Sequence, residues 1–170
     1  GVLVQHGPIL RVVFGPRDPS YISPILSAIQ SDLCESGIDG VLSTHIQRDA
    51  LEKFSYVSPI GAAGVYLHAV AGDFQKEGPA RELFKSMIRE ISALAAAMGY
   101  PFEKDYVKIN LEILSNLSAD ATTSMQRDIM EGKPSELDGL VMEPLRLAKK
   151  YSVSMPCYEE VANVLCPLEF

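Results

Sequence analysis

From Arg48 to the end of the chain, apolar residues recur at the spacing of amphipathic helices, and this pattern constrains the fold more than any other feature. The clearest helix begins at Pro79 and ends at Gly99, and its apolar face carries Leu83, Met87, Ile91, Leu94 and Met98. Its charged side chains, Glu90 among them, are predicted to face water. Because such helices must bury their apolar faces against each other, the pattern predicts a mainly α fold with a helical bundle over residues 49–170.

Prolines and glycines divide the rest of the helical region. Asp49 can cap a helix that we expect to break or kink near Pro59 and Gly61, and Pro144 should kink or split a later helix. A last helix is predicted after residue 156. The apolar faces of these later helices contain Tyr106, Ile109, Ile113 and Leu117, then Leu137, Leu140, Val141, Leu145 and Ala148, and finally Val161 and Leu165.

The first 48 residues follow a different pattern. Short strands are predicted at residues 2–5, 10–14 and 41–44, with a turn at 6–8 between the first two. Helical spacing over residues 22–36 stops at Gly37. The sequence therefore predicts a small α/β segment over residues 1–48, followed by the helical part over residues 49–170.

Composition limits the classes of partner. The chain has 170 residues, 47% hydrophobic and 22% charged, which is enough apolar material for a packed core. With a formal net charge of −7 and no basic run, nucleic acid is not an expected partner. No apolar run approaches the roughly twenty residues that cross a bilayer, so no membrane is expected either. The three cysteines and three histidines lack metal or redox spacing, which predicts reduced thiols, no metal site and a cytoplasmic location.

Two features suggest that a partner region is needed for function. The chain starts at Gly1 rather than at methionine, and it has no Gly-x-Gly-x-x-Gly turn of the kind that binds a dinucleotide pyrophosphate. We therefore expect the chain to come from a longer protein whose main cofactor-binding region is not included here.

Residues 122–138 gather polar groups at one point. Thr122 or Thr123 can cap a short helix whose buried side is predicted to carry Met125 and Ile129 and whose end is set by Gly132. After this helix, the spacing of Ser135 and Asp138 predicts a capping box that opens the next helix. Hydroxyl, carboxylate and backbone N–H groups of the two helices are therefore expected to meet.

This segment resembles the signature of the C-terminal domain of ketopantoate reductases (2-dehydropantoate 2-reductases). The matching residues are Thr-Ser-Met at 123–125, Asp128 and Ser-Glu-Leu-Asp at 135–138, with the family's spacing between serine and glutamate. Upstream, Ala-Leu-Glu-Lys-Phe at 50–54 is similar to the family block that bears its catalytic lysine. A weaker similarity at residues 7–15 is to the strand pair before the helical half of the reductase.

The resemblance implies a fold and an activity. The helical part would be similar to the C-terminal domain of phosphogluconate dehydrogenase and would pack against an N-terminal Rossmann domain of the same protein, which residues 1–48 would complete. The intact parent would use NADPH to reduce ketopantoate to pantoate for pantothenate biosynthesis. The chain by itself is expected to be inactive.

The resemblance also implies site residues. Lys53 would be catalytic, because an ammonium group can protonate or stabilise the alkoxide that forms when a ketone accepts hydride. The alternative for Lys53 is an ordinary solvated helix lysine. Ser124 would bind the substrate carboxylate. Glu136 would reach the cofactor ribose or the substrate hydroxyl. The other residues of the implied substrate-contacting turn are Met125, Gln126, Arg127 and Asp128, the last of which would orient the lysine or bond the backbone.

Three positions depart from the family pattern. The best-known members carry substrate-directed asparagines four, eight and about eighteen residues after the lysine, where this chain has Val57, Gly61 and Ala71. Two alternatives therefore stay open: a paralogous reductase of another 2-oxo acid, and a non-catalytic helical module for dimerisation. Exposed apolar surface on the helix over residues 87–98 would favour the module. A homodimer is compatible with each of these functions.

Overall fold

The computed structural model describes residues 10–18, 20–21 and 23–166, and it divides into two compact units, Gly1–Asp49 and Ala50–Phe170. The mainly α fold after a short α/β segment is confirmed. The predicted domain boundary, after residue 48, is one residue before this division. The strand predicted at residues 2–5 and the turn at 6–8 lie outside the described residues.

The first unit contains a β-α-β arrangement. Its elements are β1 (Arg11–Phe14), α1 (Pro24–Glu35) and β2 (Asp39–Leu42). The two strands are parallel, and their register pairs Arg11 with Asp39 and Phe14 with Leu42. Gly37, at φ +80°, ends α1 as predicted. The second strand starts and ends two residues earlier than predicted, because its pairing with β1 sets its limits.

The helices of the remaining chain include one that has one buried face and contacts four of the others. They are α2 (Ile46–Leu67), α3 (Ala71–Gln75), α4 (Pro79–Ala97), α5 (Tyr106–Ser115), α6 (Ser124–Met130), a π-helix (Asp138–Met142), α7 (Glu143–Tyr151) and α8 (Pro156–Leu165). Helix α4 packs against α3, α5, α7 and α8. Met87, Ile91 and Leu94 are buried on it, as predicted, and so are Phe84 and Ile88. In the described part of the chain, no helix is long and apolar enough to cross a membrane.

A break or kink was predicted near Pro59 and Gly61, and the break does not occur, since α2 is one helix of 22 residues with Pro59 inside it. Proline lacks the N–H that would bond the carbonyl of Ser55, four residues earlier. Asn110 of α5 replaces it, because its Nδ2 donates to the Ser55 carbonyl and to the Ser55 hydroxyl, at 3.1 Å each. A side chain from a neighbouring helix thus keeps the backbone of α2 satisfied.

The buried face of α5 also differs from the prediction. Ile113 and Leu117 were predicted to be buried, but they are 44% and 41% exposed. The core-facing residues of α5 are instead Asn110 and Leu114. Apolar spacing did not mark Asn110 as buried because it is polar, whereas Tyr106, on the predicted side, is partly buried and packs against the core.

Glu90 was predicted to face water, and its carboxylate instead holds the start of α8. It accepts hydrogen bonds from the backbone N–H groups of Cys157 and Tyr158, at 2.8 and 3.1 Å. A carboxylate at a helix N-terminus satisfies free N–H groups and favours the helix dipole. Burial, together with Glu90, raises the pKa of the Cys157 thiol to about 11.

Pro144 was predicted to kink or split its helix, and the helix instead changes type there without a break, since Met142 and Glu143 both keep right-handed helical backbone. The first part is the π-helix, and α7 begins just before the proline. In an α-helix the N–H of residue 144 would bond the carbonyl of Leu140, and proline lacks that N–H. The Ser58 hydroxyl donates to this carbonyl at 2.6 Å and contacts the hydroxyl of the fully buried Tyr158 at 2.5 Å. Burial raises the pKa of Tyr158, so this hydroxyl stays protonated.

Candidate functional site

Helix α6 approaches α2 closely at two glycines. A Cβ atom on Gly61 would lie 3.1 Å from Cε of Met125, and one on Gly64 would lie 2.7 Å from Cδ of Gln126. The second distance is shorter than real Cβ contacts, so only glycine permits this packing at residue 64. The glycines therefore fix the position of α6 over the C-terminal third of α2.

The start of α6 is held by a capping box, in which Thr123 has the role predicted for Thr122 or Thr123. The Thr123 hydroxyl accepts from the N–H of Gln126 at 3.2 Å, and Oε1 of Gln126 accepts from the N–H of Thr123 at 2.9 Å. On the other side of the amide, Nε2 of Gln126 donates to the Ala69 carbonyl at 2.8 Å. Both ends of this amide are therefore committed to the fold.

Met125 and Gln126 are accordingly parts of the core. Met125 is fully buried and Gln126 is nearly so. The burial of Met125 was predicted and is confirmed. The family resemblance also placed both residues in a substrate-contacting turn, and in the structure their side chains face α2 and hold α6 in place. Ile129, predicted to share the buried side with Met125, is 36% exposed. It is exposed because α6 has only two turns, and Gly132, at φ +67°, turns the chain away after Met130.

The exposed side of α6 carries the remaining predicted residues. Ser124 is exposed and Asp128 is half-buried, four residues further along the same side. Arg127 is exposed, and its Nη1 donates to the Thr122 carbonyl at 2.8 Å, which fixes its stem near the start of the helix. Polar side chains of both signs are thus available at this surface.

Lys53 lies on the same face of α2 that α6 covers further along. Residues 53 and 64 are eleven apart, which is about three helical turns, so their side chains point in nearly the same direction. Lys53 is exposed, and it makes no hydrogen bond or ion pair with any described residue. Its ammonium group is therefore free for a ligand at the open end of this face.

Glu136 is exposed just before the π-helix. The capping box predicted for Ser135 and Asp138 is absent, since no side chain caps the π-helix. Asp138 instead forms a two-pronged ion pair with Arg146 of α7, at 2.9 and 2.8 Å. The Arg146 guanidinium holds the pKa of the Asp138 carboxyl below its usual range. Asp138 thus joins the π-helix to α7, and Glu136 remains available for a ligand.

The three positions that lack the family's asparagines have different surroundings. Val57 is 36% exposed and follows Lys53 by one helical turn. Gly61 is covered by Met125, and Ala71 is buried with its N–H donating to the Ala121 carbonyl at 3.0 Å. An amide at residue 61 would therefore collide with α6, so the loss of that asparagine accompanies the close packing of the two helices.

A cavity of about 230 Å³ lies beside the start of α6. Its lining is mostly apolar and includes Tyr56, Ile60, Ala71, Phe74, Thr122 and Thr123. Sequence reasoning missed this cavity, although Tyr56 and Ile60 lie three and seven residues after Lys53 and so share its side of α2. The helical spacing of these residues was the sequence feature that could have indicated the cavity. In the described part of the chain, no group of three or more His, Cys, Asp or Glu side chains could hold a metal ion.

The family of the chain follows from comparison with known proteins. The family model described as "Ketopantoate reductase PanE/ApbA C terminal" matches residues 45–169. The chain belongs to this family.

Known relatives agree in fold, at low sequence identity. The 2-dehydropantoate 2-reductase of Nostoc sp. (strain PCC 7120) is 24% identical over 135 residues, which cover 79% of this chain and 42% of that protein. The crystal structure of 2-dehydropantoate 2-reductase from Methylococcus capsulatus superposes with a TM-score of 0.83 at 24% identity, covering 96% of this chain and 52% of the other. D-mandelate dehydrogenase, solved with NADH and anilino(oxo)acetate, has a TM-score of 0.77 at 17% identity, with coverages of 97% and 68%. The chain thus spans about half the length of the reductases that it matches.

Proposed function

We propose that this chain is the substrate-side domain of an NADPH-dependent reductase of 2-oxo acids. The observation that carries the proposal is the placement of Lys53, exposed and without a partner among the described residues, on the face of α2 that holds α6. Ser124, on the exposed side of α6, supplies a hydroxyl for a substrate carboxylate. A cation and a hydroxyl donor near one surface suit a small acid with a carbonyl next to its carboxylate.

In the proposed reaction, a hydride adds to the carbonyl carbon and a proton goes to the carbonyl oxygen, giving a 2-hydroxy acid. The ammonium group of Lys53 stabilises the negative charge that develops on the oxygen and donates the proton. The Ser124 hydroxyl donates to the substrate carboxylate and fixes the orientation of the carbonyl. Arg127 adds positive charge nearby, although its Nη1 is already bonded to a backbone carbonyl.

NADPH would supply the hydride and leave as NADP⁺. Glu136 is the residue that we assign to the cofactor, because it is exposed and its carboxylate can accept a hydrogen bond from a ribose hydroxyl. The pyrophosphate needs a glycine-rich turn at a helix N-terminus, which this sequence lacks. We therefore assign pyrophosphate binding to an N-terminal Rossmann domain of the same protein, which residues 1–48 would complete.

Ketopantoate, as in pantothenate biosynthesis, is the substrate that the family suggests. Another 2-oxo acid is the second candidate, because Val57, Gly61 and Ala71 provide no amide for the substrate. The dimerisation module has less support, since the apolar face of α4 that would favour it is buried inside the chain at Met87 and Leu94. A homodimer of the reductase remains a prediction.

The test is Lys53→Ala in the full-length protein, assayed by NADPH oxidation with a panel of 2-oxo acids. If the ammonium acts on charge that develops during hydride transfer, kcat should fall by about 10²–10⁴-fold with a smaller change in KM. Lys149→Ala, at another exposed helix lysine, is the matched control and should keep wild-type kinetics.

A thermal melt of each variant checks the fold. Near-normal turnover in a folded Lys53→Ala protein would make Lys53 an ordinary solvated lysine and remove the catalytic assignment.

A further inference from the structure

The cavity beside α6 contains a polar group without a partner. The Tyr56 hydroxyl is buried and makes no hydrogen bond to any described residue. Burial raises the pKa of Tyr56, so the group is a neutral hydroxyl that can both donate and accept. Nearly all buried polar atoms in folded proteins have a partner, so an unpartnered hydroxyl at a cavity indicates that a water or a ligand group binds there.

The surroundings of Tyr56 explain why the protein itself does not satisfy this hydroxyl. The ring packs edge-on against Phe84, with ring centroids 6.0 Å apart, and Phe84 is fully buried. Gln126, which also lines the cavity, has both ends of its amide bonded elsewhere. The hydroxyl is therefore held in an apolar environment, and its partner has to enter from outside the fold.

The cavity adjoins the proposed site at two points. Along α2, Lys53, Tyr56 and Ile60 follow one another at i, i+3 and i+7, so the cavity begins one turn after the proposed catalytic lysine. Across from α2, Thr122 and Thr123 line the cavity, and Ser124 is the next residue in the chain. A molecule held by Lys53 and Ser124 therefore has the cavity next to it.

The size and lining of the cavity indicate what can enter. A dry apolar cavity of about 150 Å³ is known to bind benzene, and a water occupies only about 30 Å³ of liquid. At about 230 Å³, this cavity has room for a phenyl-sized group together with a small substituent. Phe74 and Ile60 provide apolar contact, and the Tyr56 hydroxyl provides one hydrogen bond.

We propose that this cavity receives the side chain of the substrate, and that the preferred substrate is a 2-oxo acid with a phenyl-sized apolar side chain that ends in a hydroxyl group. Tyr56 is then a specificity-determining residue, because its hydroxyl pairs with the substrate hydroxyl. The inference rests on the proposed function, in that Lys53 and Ser124 hold the acid end of the same molecule. The missing asparagines agree with it, since Ala71 lies where an amide would occupy part of the cavity.

The experiment compares kcat/KM of the full-length protein for pyruvate, phenylpyruvate and 4-hydroxyphenylpyruvate. In the wild type, phenylpyruvate should exceed pyruvate by at least about tenfold, as expected from burial of a large apolar side chain. Ala71→Leu fills the cavity and should lower the ratio of phenylpyruvate to pyruvate by about tenfold. Ala121→Leu, at another lining residue, tests the same point if the first variant does not fold. Ala93→Leu, on the exposed side of α4, is the matched control.

Tyr56→Phe tests the hydroxyl pair. It should lower the ratio of 4-hydroxyphenylpyruvate to phenylpyruvate by about twofold to tenfold, the usual effect of one hydrogen bond. If the wild type reduces pyruvate as well as phenylpyruvate, or if neither the cavity-filling variants nor Tyr56→Phe change these ratios, the inference is wrong and the proposed function stands. If the wild type reduces none of the three acids and no other 2-oxo acid, the proposed function fails, and the inference fails with it.

Discussion

At the scale of single residues, two prolines, Pro59 and Pro144, each lack the backbone N–H that a regular α-helix would use at that position. In both cases a polar side chain from another element bonds the carbonyl that loses its partner, Asn110 at Ser55 and Ser58 at Leu140. These bonds link elements that are far apart in sequence. Polar side chains in this core therefore satisfy backbone carbonyls, which apolar side chains cannot do.

We predict that Asn110→Ala destabilises the protein by about 1–3 kcal/mol, because it leaves the buried Ser55 carbonyl without a partner. The change is measured as a shift of the urea unfolding midpoint. Asn163→Ala, on the exposed side of α8, is the control and should change stability by less than about 0.5 kcal/mol.

A second substitution separates this effect from general loss of packing. Pro59→Ala gives residue 59 an N–H that can bond the Ser55 carbonyl, so it should recover part of the stability in the Asn110→Ala background. An unchanged midpoint in Asn110→Ala would show that the Asn110 hydrogen bonds contribute nothing to stability.

At the scale of elements, the position of α6 depends on how closely it approaches α2. Gly64 leaves room for the Gln126 amide, and that amide connects the cap of α6 to the Ala69 carbonyl after α2. The proposed substrate residue, Ser124, sits on this short helix. The position of Ser124 therefore depends on Gly64, although the backbone of Gly64 is ordinary α-helix.

We predict that Gly64→Ala lowers stability, although alanine is the better helix former by roughly 0.5–1 kcal/mol. The added Cβ displaces the Gln126 amide, and the hydrogen bonds that it loses, each worth about 0.5–1.5 kcal/mol, outweigh the gain in helix propensity. Denaturant unfolding gives the sign. Gly139→Ala is the control, because a Cβ there meets nothing within 4 Å and should be neutral or stabilising. A Gly64→Ala protein more stable than wild type would mean that α6 moves away without loss.

At the scale of the whole molecule, the chain forms two units and spans about half the length of the reductases that it matches. The second unit contains Lys53, Ser124 and Glu136, three predicted site residues that are exposed. The proposed reaction also needs a tightly bound dinucleotide, for which this sequence has no glycine-rich turn.

We therefore predict that the 170-residue chain does not bind NADPH with useful affinity, whereas the full-length protein does. Calorimetric titration of both proteins with NADPH is the measurement. Circular dichroism of the isolated chain controls for loss of fold. Micromolar binding of NADPH by the folded chain alone would contradict the assignment of the cofactor to another domain.

The sequence by itself determined the features that depend on local interactions. Apolar spacing located most helices, Pro79 and Gly99 marked the ends of α4, and Thr123 was available as the cap of α6. The motifs at residues 50–54, 123–125, 128 and 135–138 were enough to identify the family, which the match over residues 45–169 confirms.

Only the tertiary structure decided where side chains from different elements meet. The continuity of α2 through Pro59, the role of Glu90 at α8 and the commitment of Gln126 to the core each depend on a hydrogen bond between residues 55 to 67 positions apart in the chain. The cavity at Tyr56 likewise forms between elements and has no signature in any one of them. Local periodicity cannot predict such contacts, because they arise from packing between segments whose relative position the chain fixes only on folding.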